Sequence, residues 1–177
     1  MLFTFGRYTV DVDVDKTREL YEKLPFISQS CGCDNCINFE KAADFFSGDV
    51  TAFFNTLGVN PKKTAECMKY TDNPDGTSLY GGFYHLCGRL VEGDDAWVEI
   101  SKSHSVFERD LAYKVNEHFF ASFRETASSL SEEFNCPLLQ LEFEADVPQL
   151  PEKTVSEEAP CVTQYNKNAG LFSLRSK

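Results

Sequence analysis

Ser78-Leu79-Tyr80-Gly81-Gly82-Phe83-Tyr84-His85-Leu86-Cys87-Gly88-Arg89-Leu90-Val91 is a run rich in β-formers, fenced by turn signals on both sides. Asp72-Asn73-Pro74-Asp75-Gly76 precedes it and Gly93-Asp94-Asp95 follows, so the spacing predicts a long strand between two reversals. On a strand, Phe83, His85, Cys87 and Arg89 share one face, and the paired glycines let a second backbone or a ligand approach closely. That face reads either as the lining of a pocket, with His85 as acid, base or ligand, or as an aromatic core strand with a satisfied histidine.

Downstream, Ala96 to Ile100 reads as another strand. From Leu138 to Val147, Leu139, Leu141, Phe143 and Ala145 alternate with Gln140, Glu142 and Glu144, and Pro148 ends the pattern. This predicts a strand with a solvated acidic face. Thr64 to Thr71 and Tyr113 to Phe123 fit a strand or a helix equally well. Upstream, Tyr8, Val10, Val12 and Val14 alternate with Thr9, Asp11, Asp13 and Asp15, which predicts a half-buried N-terminal strand.

Asp15 is placed to cap a short helix carrying Leu20, Tyr21 and Leu24 and stopped by Pro25. Asn38 is placed to cap a second, with Ala42, Ala43, Phe45 and Phe46 turned inward. A third starts at Asp49, with Val50, Phe53, Phe54 and Leu57 on one stripe and Gly58 just past its end. The expected fold is α+β: an N-terminal strand, two or three short helices, then a mainly antiparallel sheet. Residues 1–150 read as one domain and residues 151–177, which lack apolar periodicity, as a flexible tail.

The chain has 177 residues with a net charge of -11. Up to residue 150, 25 acidic residues face 13 basic ones, since residues 151–177 hold 3 of the 28 acidic and 4 of the 17 basic side chains. Such a field disfavours nucleic acid and anionic membrane and favours a basic protein as partner. Apolar runs fall short of the roughly 20 residues a bilayer needs, and Met1 to Arg7 runs straight into strand pattern, so a soluble, cytoplasmic location is expected. An odd count of seven cysteines in a chain of this length points away from a disulfide scaffold, towards thiols or a metal site.

Cys31-Gly32-Cys33-Asp34-Asn35-Cys36 packs three cysteines into six residues, in an expected loop. The Cys33–Cys36 spacing lets two thiolates bind one tetrahedral metal, and Cys31 adds a third. Zinc is the metal such a site suggests, with a fourth ligand drawn from Cys67, His85, Cys87 or His104, and His85 the first choice. Two other readings stand beside it: a redox site, with Cys36 near a helix start, and three reduced thiols lining a tight turn. Asp11, Asp13, Asp15 and Glu22 match calcium-loop spacing, but Lys16 stands where glycine is needed, so they read as a solvated strand face. No nucleotide-binding glycine motif and no acyl-transfer motif occurs.

The cysteine cluster with Asn38-Phe39, then Leu57-Gly58-Val59-Asn60-Pro61, then Tyr80-Gly81-Gly82-Phe83-Tyr84-His85 resembles a group of small bacterial proteins of unknown function. The resemblance spans roughly residues 3–150, implies a bacterial, cytosolic origin and carries no catalytic residue with it. Three functions stay open: a non-enzymatic binding protein docking a basic partner, with a structural metal at Cys31, Cys33, Cys36 and His85; a thiol- or metal-dependent enzyme using Cys33, Cys36 and His85; and an assembly role with no small ligand.

Overall fold

The run from Thr77 to Glu92 does form one 16-residue strand, and the main sheet is laid down on either side of it. The computed structural model describes residues 1–102, 104–125 and 135–150. In chain order the elements are β1 (Leu2–Phe5), β2 (Tyr8–Val12), α1 (Val14–Lys23), α2 (Ile27–Ser30), α3 (Asp34–Ala42), a 3-10 turn (Ala43–Phe45) and α4 (Gly48–Leu57). There follow β3 (Glu66–Asp72), β4 (Thr77–Glu92), β5 (Trp97–Ser101), β6 (His104–Phe107), β7 (Tyr113–Asn116), β8 (Phe119–Arg124) and β9 (Leu138–Pro148). The α+β expectation therefore holds.

Seven strands form the sheet in the order β1-β2-β4-β9-β8-β7, with β3 also on β4, and every pairing is antiparallel. β9 pairs with Thr77 to Cys87 along one edge of β4. On the other edge, β3 takes Ser78 to Phe83 and β2 takes Gly88 to Glu92. β5 and β6 make a separate two-stranded ribbon.

The helices cover one face of this sheet. In α4, Val50, Phe53, Phe54 and Leu57 are buried as the stripe predicts, and Ser47 caps the helix by accepting from the Val50 amide. Gly58 adopts φ +74°, and a Cβ there would lie 2.5 Å from the Val14 carbonyl oxygen, so only glycine lets α4 end against α1. Aromatic rings join the layers: Phe54 meets Tyr84 at 5.0 Å between centroids, and Phe143 meets Phe39 at 5.4 Å and Phe119 at 5.6 Å.

Several local expectations are corrected. Asp13, not Asp15, caps α1 by accepting from the Lys16 amide at 3.1 Å, so Val14 leaves the strand and starts the helix. Asn38 sits inside α3, where its Oδ1 accepts from the Leu150 amide, and the cap is Cys33. Phe45 is 71% exposed rather than inward, because a 3-10 turn rotates it off the stripe. Thr64 to Thr71 yields β3, and Tyr113 to Phe123 yields the β7–β8 hairpin. The acidic face of β9 is covered rather than solvated: Glu142 is 6% exposed, and Arg109 bonds both Glu144 and Asp146. Cys87 is not a thiol but forms a disulfide with Cys136. Among the described residues no helix is long and apolar enough to cross a membrane. The expected tail, 151–177, lies outside the described residues.

Candidate metal centre

Two short helices meet at a corner, and the corner is built from cysteines. Cys31 closes α2, donating its amide to the Ile27 carbonyl at 2.8 Å. Cys33 is the N-cap of α3, and Cys36 lies in its first turn. The cluster is thus a helix–helix junction rather than the expected loop. Its shape is braced from both sides. The Ser28 amide donates to Glu40 Oε2 at 3.0 Å, tying α2 to α3. Tyr80 Oη donates to the Asn35 carbonyl at 3.2 Å and accepts from Asn38 Nδ2 at 3.3 Å, tying α3 to β4.

The three ligand sulfurs of Cys31, Cys33 and Cys36 lie within 4.8 Å of one another. Cys31 Sγ and Cys33 Sγ are 3.4 Å apart, and the residues are only 6%, 9% and 0% exposed. A tetrahedral ion with metal–sulfur bonds of 2.3 Å sets its sulfurs about 3.8 Å apart, so one ion fits between these three after small side-chain rotations.

A fourth sulfur borders the group from the sheet. Cys67 is buried on β3, in register with Gly82 of β4. The side chain that Gly82 lacks leaves room for β3 to close in, since a Cβ there would stand 2.1 Å from the Glu66 carbonyl oxygen and 2.9 Å from the Phe143 ring. Cys36 Sγ reaches the Cys67 carbonyl at 3.9 Å. The Cys36 thiol is held well above the usual cysteine range, first by its hydrogen bond with the Cys67 thiol and then by burial, with the Cys31 and Cys33 thiols adding to the effect. Without a cation at its centre, the corner keeps Cys36 protonated and poorly nucleophilic.

The remaining donors named from sequence lie elsewhere. His85 is buried on β4 opposite Gln140, with its ring 5.5 Å from Phe83. Its neighbour Tyr84 turns to the helical side, where its hydroxyl donates to the Pro61 carbonyl and its ring meets Phe54. Strand alternation therefore sends His85 to the other side of the sheet from the cysteines, and the structure does not bring it into the sulfur group. Cys87 is held in its disulfide, and His104 is exposed on β6 with Nδ1 3.2 Å from Ser101 Oγ.

Sequence reading did not foresee the polar arrangement on the sheet's other side. Glu142 accepts from Trp97 Nε1 at 3.2 Å and from Gln140 Nε2, with Arg124 at 3.8 Å. Burial pushes the Glu142 carboxyl up, and burial together with Glu142 does the same to Glu66. The alternation of β9 marked these side chains, but nothing local to them indicated that Trp97, Arg109 and Arg124 would fold over them. Compared with family models, curated proteins and solved structures, the chain matches none.

Proposed function

We propose that this protein is a non-enzymatic binding domain whose Cys31, Cys33 and Cys36 hold a metal ion in a structural role. The observation that carries the reading is the gathering of three buried sulfurs within 4.8 Å at a braced helix junction. Thiol–thiol hydrogen bonds are weak and give little reason to collect sulfurs in a core, whereas a bound cation makes the same arrangement strongly favourable. Burial and the raised Cys36 pKa speak against Cys36 as a nucleophile.

The test is uptake of zinc by reduced protein, followed by competition with a chromophoric chelator. One ion per chain is expected, and Cys33→Ser should weaken binding by more than about tenfold. Serine is itself a favoured N-cap, so this variant keeps α3 while removing a ligand. Absence of uptake by the unaltered protein would refute the proposal.

The binding role rests on charge. Glu92, Asp94, Asp95 and Glu125 line an open cleft of about 350 Å³ beside Arg124, within a chain of net charge -11. A basic protein is the partner this field suits, with attraction fading as salt shortens the Debye length to about 8 Å at physiological strength. Capture of basic proteins from the host at low salt and their loss at moderate salt is the expected outcome; no enrichment at low salt would remove this part of the reading.

A further inference from the structure

We infer that Cys67 supplies the fourth ligand, making the centre a closed tetrathiolate site for a zinc-like ion that fastens α3 to β3. This rests on the metal reading above and adds what that reading leaves open: the last ligand, the class of metal and the mechanical consequence.

Cys67 is only 2% exposed, its neighbour in register is glycine, and its carbonyl oxygen lies 3.9 Å from Cys36 Sγ. Its sulfur stands outside the group whose members are all within 4.8 Å of each other, and its pairing with Gly82 turns its side chain to the helical face of the sheet, where those cysteines lie. Side-chain rotation is the movement by which Cys67 would complete a shell with sulfurs about 3.8 Å apart. The donors that could compete among the described residues are placed out of reach: His85 and Cys87 by strand alternation, whether or not the disulfide is reduced, and His104 by its position on the exposed β6.

Four sulfur donors with no oxygen in the shell favour a soft or borderline ion that accepts tetrahedral geometry, which is zinc chemistry rather than magnesium or calcium chemistry. Binding balances as four thiols losing four protons to give a shell of four thiolates around a dication, with a net site charge of two minus. The start of α3 helps to carry that charge. Cys33 is its N-cap and Cys36 lies in its first turn, so the positive end of the helix stands beside these sulfurs. A closed shell leaves no position for substrate or activated water, in keeping with a structural role. The ligands come from α2, α3 and β3, so the ion joins the helical layer to the sheet.

Two measurements on the full reduced chain test this. Zinc X-ray absorption should show four sulfurs at about 2.3 Å; three sulfurs with a nitrogen or oxygen at about 2.0 Å would overturn the assignment while leaving a metal site. Cobalt titration should show a sulfur-to-metal charge-transfer band that falls by about a quarter in Cys67→Ser, one thiolate in four, and is unchanged in His85→Asn and in Cys161→Ser, which removes the seventh cysteine, outside the described residues. If Cys161→Ser lowers the band and Cys67→Ser does not, the fourth sulfur has been misassigned. If the unaltered chain gives no band and takes up no zinc, both this inference and the metal reading fail.

Discussion

Alternate residues of β4 and β9 face two different chemical environments. Tyr80, Tyr84 and Leu86, with Leu139, Leu141 and Phe143, meet the helices in an aromatic core that borders the four thiols. Phe83, His85 and Cys87, with Gln140, Glu142, Glu144 and Asp146, belong to the other side. There Arg109 bonds Glu144 at 2.7 Å and Asp146 at 3.1 Å while lying 4.6 Å from the Phe120 ring, and a disulfide fixes Cys87. The soft sulfur donors and the hard carboxylates are thus segregated by the sheet itself. Among the described residues the sulfur group includes no carboxylate, and the buried carboxylates of the other side are met by arginine, glutamine and indole donors. The two sides should fail separately, and for different reasons.

The largest effect should come from the aromatic side. Phe143→Ala removes a ring that packs on Phe39, Tyr84 and Phe119, and should cost about 3–5 kcal/mol in denaturant unfolding. Glu144→Ala, next along the same strand but on the opposite face, should cost only about 1–2 kcal/mol, because Arg109 keeps both bonds to Asp146. Equal losses would mean that the faces are not the independent units described.

Reduction of the Cys87–Cys136 disulfide comes next. It spans 49 residues, and its loss should lower stability by up to about 4 kcal/mol through chain entropy. Bound zinc should stay, since the bridge and the sulfur corner lie on different sides of the sheet. Loss of the metal together with the bridge would show that the two sides are coupled.

The smallest effect is a pH-dependent one. The Glu66 carboxyl is held above its ordinary value by burial and by Glu142, so the folded state binds that proton more tightly than the unfolded chain does. Its contribution is therefore fully present below pH about 4.3 and is lost as pH rises through the raised value. Glu66→Gln should accordingly stabilise the protein at neutral pH, by less than about 1 kcal/mol given its partial exposure, and the gain should vanish near pH 4. Destabilisation by this variant at neutral pH would show that the carboxylate is favourably met where it lies.

Much of this division was legible in the sequence. The alternation of Leu138 to Val147 and the turn-fenced run from Ser78 to Val91 gave the two central strands, and the Val50–Leu57 stripe gave α4. Cys31, Cys33 and Cys36 declared themselves by spacing, because residues so close in sequence cannot be far apart in space. Cys67 was only one of four distant donors, since Thr64 to Thr71 has no decisive period and its inward face depends on pairing with β4. His85 was drawn in by its distinctive surroundings, yet a period of two assigns a face only relative to Tyr84, and the helices chose Tyr84. The covered acidic face was missed for a related reason: the arginines and tryptophan that neutralise it come from segments far along the chain.

Whether the sulfur corner is a metal centre is decided most directly by elemental analysis of the native protein, purified under reducing conditions without chelators. Close to one zinc per chain is expected, retained through gel filtration and lost on prolonged chelation with a fall in melting temperature. Protein that is folded, reduced and free of metal, and that keeps the same melting temperature when zinc is supplied, would contradict it.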